Sequence, residues 1–374
     1  LHLMAVRKFS SSKFDVIWLF GVWLLVGFFS LWMHARQNPD SRGPVFSFRE
    51  LDNIHDLLGL IEGLVSFNVC FWLLSLVLGK SWPSDFIWMT WPLLQMIYLT
   101  MSTCPMNSTW GWTTILPHCS GTWGWQATLQ LALTFLWGAR LFVNFVDRGG
   151  VRHEKSRYTE MRKNFGAAYG VISFFTVFAA QTTMMFVGCL PMFTIVRSTL
   201  ISPGHSICGA IICFFGIMIE HNADLEMDTF VKLRTWKRKQ KMENKEVLDT
   251  GLWGWSRHPN YCGQLMFWWG TWFASIQQGE EHFNYPRSTY FAHVHFKKFG
   301  VFVFAPALVS IYFHVIADHM DGTQLENKKD EYKEYMLRVT SPIMIFPPSA
   351  YKPWLKICDC SRKLDDRTKK EKIK

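Results

Sequence analysis

The sequence predicts an all-α fold, a polytopic transmembrane helix bundle of about 7–8 spans. Three observations predict it. Apolar runs approaching the ~20 residues a helix needs to cross a bilayer recur along the chain. Lys and Arg are not spread evenly but gather in alternate loops. The composition holds 19 Trp, 32 Phe and 17 Met with only 18% charged residues, where a soluble domain averages about 25%. The runs show no strand-like alternation, which argues against a membrane β-barrel.

The first run, Phe14–Met33, is too long for a signal peptide and lacks a small-residue cleavage site, so it is expected to be retained as a span. The second, Leu57–Leu78, carries Glu62. The third, Phe86–Met101, is short and flanked by aromatics, and holds Tyr98. The fourth, Trp125–Phe145, contains Arg140. Gly166–Val187 and Ser202–Ile219 follow, with Pro191 and Pro203 as alternative break points. Gln264–Ile276, again short, and Gly300–Val315 close the series.

With eight spans and a cytosolic N-terminus, 31 of the 39 Lys and Arg residues fall in cytosolic segments and seven on the other side, with Arg140 inside a span. That bias fits the positive-inside rule and places the C-terminal tail in the cytosol. The net charge of +10 therefore reads as membrane orientation. No RNA-recognition motif or basic base-reading helix accompanies it, so nucleic acid is not an expected partner. The expected partners are the lipid bilayer and a lipid or steroid-like substrate.

The chain is expected to divide into N-terminal membrane helices (1–80), a larger membrane domain (81–350) and a basic cytosolic tail (351–374). The tail ends Lys370-Glu371-Lys372-Ile373-Lys374, which resembles a dilysine retrieval signal of the endoplasmic reticulum. The 102–121 loop has no Lys or Arg; it holds the sequon Asn107-Ser108-Thr109 and two cysteines, Cys104 and Cys119, able to pair in a lumenal loop. Cys70, Cys189, Cys208 and Cys213 are expected to be buried small hydrophobes, and Cys358 and Cys360 are too isolated for a zinc site.

The segment richest in chemistry is Gly251–Gln264, GLWGWSRHPNYCGQ, between a basic stretch and an apolar run. Arg257, His258 and Asn260 are packed among Trp253, Trp255 and Tyr261, and Pro259 restrains the turn. Arg and His bind phosphate through charge-assisted hydrogen bonds, Asn offers a two-way amide, and aromatic rings stack on a planar heterocycle. Together they suit a nucleotide at the mouth of a helical bundle. The alternative is an interfacial aromatic anchor with one snorkelling Arg.

This segment resembles the signature of the steroid 5α-reductase-like membrane family, close to GLW-x-x-SRHPNY-x-G-E. Ser84-Asp85-Phe86-Ile87-Trp88 resembles that family's Asp-x-x-Trp motif at the start of an early span, and Leu136-Trp137-Gly138-Ala139-Arg140-Leu141 with Arg148 its aromatic-Gly-x-Arg-Leu…Arg helix. Glu220-His221-Asn222-Ala223-Asp224 with Phe230 resembles its Glu-x-x-Ala-Asp…Phe helix end. Tyr332, Tyr335, Thr340-Ser341 and Pro347-Pro348 resemble its Tyr-x-x-Tyr…Thr-Ser…Pro-x-Pro close. The matches run in order from Ser84 to Pro348. The resemblance implies NADPH bound from the cytosolic side and reduction of an electron-poor carbon–carbon double bond in a lipid.

By position, the resemblance assigns Asp224, Asn260 and Tyr335 to the dinucleotide. Arg140, Arg148, Arg257, His258 and Tyr261 are further contacts, and Lys232 or Arg234 is a phosphate-reading base. Glu62, an acid inside a run, is a candidate proton donor, and Tyr98 a candidate to polarise a carbonyl. Arg140 has a structural alternative, pairing with Asp85 or Glu220. His314 is expected to be a satisfied core histidine.

One departure concerns Gln264, which stands where the family has an acid; it accepts a hydrogen bond but holds no charge. Glu226 stands where the family often has Gln, so the two exchanges either offset each other or alter the grip on the cofactor. Two other functions stay open. The Arg-His-Pro-x-Tyr core also resembles membrane methyltransferases that use S-adenosylmethionine, although their paired Glu near the last span is missing. A lipid-binding protein without turnover is the other, favoured by Gln264.

Overall fold

The computed structural model describes residues 54–102, 124–150, 154–197, 201–276 and 287–345, the side chains of 54–60, 62, 101–102, 156–157, 197 and 287–301 excepted. The expected span at Phe14, the Asn107 sequon, Cys104, Cys119, Cys358, Cys360 and the tail signal lie outside these residues, as does the side chain of Glu62. The described chain is helical, with no strand. Four of its helices are long and apolar enough to cross a membrane, Gly124–Asp147, Tyr158–Val196, Pro203–Lys239 and Phe302–Arg338, which marks an integral membrane protein. Gly63–Leu78 is apolar but shorter.

The helices are α1 (Ile54–Leu78), α2 (Pro83–Ser102), α3 (Gly124–Asp147), α4 (Ser156–Phe165), α5 (Tyr169–Ser173), α6 (Ala180–Gly188), α7 (Leu190–Arg197), α8 (Pro203–Lys239), α9 (Pro259–Ala274) and α10 (Arg287–Arg338). Between α4 and α6 the chain stays helical through a 3-10 turn at Gly166–Ala168 and a π-helical turn at Phe174–Ala179. The expected fifth span is thus part of a longer helical stretch, Tyr158–Val196, and Pro191 lies inside it. The sixth continues well past Ile219 to Lys239. Its polar extension keeps helical form with support from pairs such as Asp228 and Lys232, one turn apart at 2.5 Å.

Two compact units are present, one comprising the described residues up to Cys213 with Trp268–Leu308, the other Phe214–Phe267 with the described residues from Val309. In the first, α2 packs against α1, α3 and α6. It buries Phe86, Ile87, Trp91, Leu94, Met96 and Leu99, the behaviour of a helix apolar all round. Gly138 lets α3 close on α2: a Cβ there would stand 2.7 Å from the Met89 carbonyl oxygen. Gly209 of α8 meets the Gly270 carbonyl of α9 with the same intimacy, 2.5 Å for an added Cβ. Such small-residue contacts are how helices pack where lipid removes the hydrophobic drive.

The first unit also holds a polar clasp. The Ser81 amide donates to Glu154 at 2.7 Å, the Ser81 hydroxyl meets the Tyr169 hydroxyl at 2.6 Å, and Arg162 donates to Glu154 at 3.1 Å. Lys155 pairs with Asp85 at 2.8 Å. The cysteine expectation holds for Cys189 and Cys213, which are buried, but Cys70 and Cys208 are exposed on apolar helix faces. His314 is likewise exposed, with its Nδ1 2.7 Å from the Ser310 carbonyl oxygen one turn back, so it is no core histidine.

Candidate functional site

The site is built in the second unit, where Gly251–Gln264 folds back on α8 and α10. Thr250 is extended and Gly251 takes φ +61°, so the chain turns sharply into a 3-10 turn at Gly251–Gly254. A Cβ at Gly251 would stand 2.5 Å from the Glu226 carboxylate, which can swing aside, so it is the positive φ that calls for glycine. That carboxylate takes the Leu252 amide at 3.0 Å, capping the turn. The Trp253 indole donates to the Ala223 carbonyl at 3.0 Å, tying the turn to α8 beside Asp224. The Tyr335 hydroxyl donates to the Trp253 carbonyl at 2.7 Å and lies 3.3 Å from that of Ser256.

Arg257, His258 and Tyr332 converge on one acid, Asp321. Arg257 Nε donates to Oδ2 at 2.9 Å, while His258 Nε2 is 2.9 Å and the Tyr332 hydroxyl 2.5 Å from Oδ1. Arg257 Nη1 also donates to the Val339 and Thr340 carbonyls, both at 2.9 Å. Asp321 is only 5% exposed, and so many charge-assisted donors offset its loss of water. The His258 ring stacks on Tyr261 at 5.1 Å and 10°, and Tyr261 packs on Phe313 at 5.0 Å. α10 breaks at Lys329, with φ 44° and ψ −116°. Beyond the break, Tyr332 and Tyr335 join Val247 and Val339 in a small core.

The sequence-predicted residues Arg257, His258, Asn260, Tyr261, Gln264, Tyr335, Asp224, Lys232 and Arg234 all belong to this unit. Arg140, Arg148 and Tyr98 belong to the first unit, as does Glu62 by chain position. Arg257 and Tyr335, read from sequence as ligand contacts, spend these donors on the fold itself. Asp321 was not foreseen: it stands in no motif, and a single acid near a helix end carries no signal of its own. Asp85, offered above as a partner of Arg140, pairs with Lys155, and Glu220 takes the Gln264 amide at 2.6 Å. The exchanges at Gln264 and Glu226 therefore each have a separate partner.

Gln264 and Glu220 are both buried, 4% and 3% exposed. A glutamate at 264 would set two carboxyl groups against each other; glutamine donates instead. Gln264 Oε1 and Asn260 Oδ1 are buried with no hydrogen-bond partner. At the end of α8 a groove of about 190 Å³ runs between the helix and the following loop, lined by Phe230, Arg234, Lys237, Lys245, Val247 and Asp249 among others. Arg234 donates to the Glu246 carbonyl at 3.1 Å. Lys232 points elsewhere, 73% exposed and paired with Asp228.

Carboxylates frame the groove. A hydrogen bond from Arg238 holds Glu246 below the usual carboxylate range, against the upward push of its partial burial. Burial also pushes Asp249 up, but hydrogen bonds from Arg338 and Lys245 outweigh it and leave this carboxyl low. Among the described residues no group of three or more His, Cys, Asp or Glu side chains is arranged to hold a metal ion.

The model of a family described as "Protein of unknown function (DUF1295)" matches residues 71–303. No curated protein and no solved structure matches the chain.

Proposed function

We propose a function on one premise: the chain belongs to the DUF1295 family. On this reading it is a membrane-embedded, NADPH-dependent reductase of an activated C=C bond in a lipid or steroid-like substrate. The motifs resembling the steroid 5α-reductase-like family support it. The observation that carries it is the groove at the end of α8, where Arg234, Lys237 and Lys245 stand with Asp249 in the same unit as the ordered Ser256–Tyr261 turn.

The residues present fit a dinucleotide phosphate. Arg234, Lys237 and Lys245 line the groove; Arg234 pairs with Glu246 and Lys245 with Asp249, so a phosphate there would share these cations with the two carboxylates. Asp224, buried beside the Trp253 anchor, is suited to accept from ribose hydroxyls. Asn260 and Gln264 carry buried carbonyl oxygens open to a donor. Asp321 acts at one remove, holding Arg257 and His258 in place.

Bound there, NADPH would supply a hydride to the β-carbon of the double bond. The chain's part is to orient the carrier, keep bulk water from it and stabilise the developing enolate. From the sequence, Tyr98 is proposed to polarise the substrate carbonyl and Glu62 to donate the proton. The same reading carries seven to eight crossings, a cytosolic tail, residence in the endoplasmic reticulum and lateral access of the substrate from the bilayer.

Thermal unfolding of the detergent-solubilised chain tests this reading, because a ligand that binds only the folded state raises the midpoint. A rise with NADPH and none with S-adenosylmethionine is expected. Stabilisation by S-adenosylmethionine alone would make the chain a methyltransferase, and stabilisation by neither a lipid-binding protein. Asn260→Ala and Asp224→Ala should each weaken NADPH binding.

A further inference from the structure

The orientation of one buried amide determines what its other end can read. Gln264 Nε2 donates to Glu220 Oε1 at 2.6 Å, and a carboxylate only accepts. Against an ionised Glu220 the Gln264 amide donates, and its carbonyl oxygen faces away from Glu220. That oxygen is buried and has no hydrogen-bond partner, and the carbonyl oxygen of Asn260 shares this condition. Positions 260 and 264 stand one turn apart on the same face of α9. Other buried oxygens share this condition, among them Asn244 Oδ1 and Gln324 Oε1, but the Asn260 and Gln264 acceptors stand a turn apart on one helix face. A phosphate placed here would set acceptor against acceptor, beside a carboxylate. The face calls for a ligand group that brings hydrogens.

We infer that Asn260 and Gln264 form an acceptor pair that reads an exocyclic NH2 group of the dinucleotide, an assignment that rests on the reductase reading. Two parts of NADPH carry such a group, the nicotinamide carboxamide and the adenine amine, and either has the N–H donors the face lacks. The carrier's phosphates then belong with Arg234, Lys237 and Lys245. Gln264, the departure from the family pattern, becomes a residue of specificity: an amide held by Glu220 presents a neutral acceptor.

Equilibrium binding to the full chain in detergent tests this with three probes. They are NADPH, its 3-acetylpyridine analogue, in which a methyl replaces the carboxamide nitrogen, and its hypoxanthine analogue, in which oxygen replaces the adenine amine. One of the two analogues should bind about tenfold more weakly than NADPH, the loss expected for two neutral hydrogen bonds, and it identifies the group read. Gln264→Met removes one of the two acceptors and should cut that ratio to about threefold while leaving the unliganded thermal midpoint measurable. Should the variant fail to fold, the analogue series on the unaltered chain still decides. Equal affinity for all three probes overturns the inference and leaves the reductase reading standing; binding of none overturns both.

Discussion

The clasp around Glu154 in the first unit and the hub around Asp321 in the second both tie a turn to helices through one acid, but they bury it differently. Glu154 takes a backbone amide and Arg162, whose side chain is 37% exposed, so water can replace part of what is lost. Asp321 takes Arg257 and His258, 8% and 9% exposed, together with Tyr332, where no water replaces a lost partner. The first is a fastening at the edge of a fold. The second orders the Ser256–Tyr261 turn in a unit that also carries open acceptors on α9 and the groove lined by Arg234, Lys237 and Lys245. A ligand fits where a polar network is held rigid and left incomplete.

Removing each acid tests that contrast most severely. Asp321→Ala should cost about 3–5 kcal/mol by stranding the buried Arg257 guanidinium together with His258 and the Tyr332 hydroxyl, and Glu154→Ala only about 1 kcal/mol. Thermal midpoints in detergent report both, and equal losses would erase the distinction. Packing comes next. Gly263 of α9 has room for a Cβ only 2.5 Å from the Gly216 carbonyl oxygen. Gly263→Val should therefore cost about 1–3 kcal/mol or more, because backbone cannot yield as a side chain does. Gly79, with nothing within 4 Å of an added Cβ but φ +64°, should lose less on becoming Ala, through backbone strain alone.

A smaller effect is expected at Trp253, where Phe keeps the ring but loses the bond to Ala223, about 1 kcal/mol. The smallest concerns acid. Glu246 and Asp249 are both held low in the folded chain. Their stabilisation is present above the pH at which unfolded carboxyls titrate and is lost as pH falls through the folded values. Glu246→Gln should flatten the acid side of the stability curve, read as thermal midpoint against pH, and a curve of unchanged slope would remove that contribution.

Much of this fold was legible as helices because apolar runs and glycines mark them locally. Pro203 and Gly251 fell where elements begin. The reach of α8 to Lys239 was not legible, since hydropathy stops at Ile219 while helix propensity does not. The close approach of Gly216 and Gly263 was hidden for another reason: a small residue discloses its purpose only beside its partner. At the site, the motif located Arg257 and His258, and charge said what they are able to bind. It could not say that Asp321, in no motif and far along the chain, already holds them. Gln264 stood out as a departure from a pattern, but its role depended on Glu220 taking its amide nitrogen.

The most direct measurement follows deuterium. Membranes containing the chain would receive NADPH deuterated at its transferable position and a mixed lipid extract rich in enones, with mass spectrometry of the lipids before and after. The expected result is a saturated lipid that carries the deuterium on carbon, absent with Asn260→Ala. No transfer to any lipid, with NADPH bound and intact, would contradict a reductase.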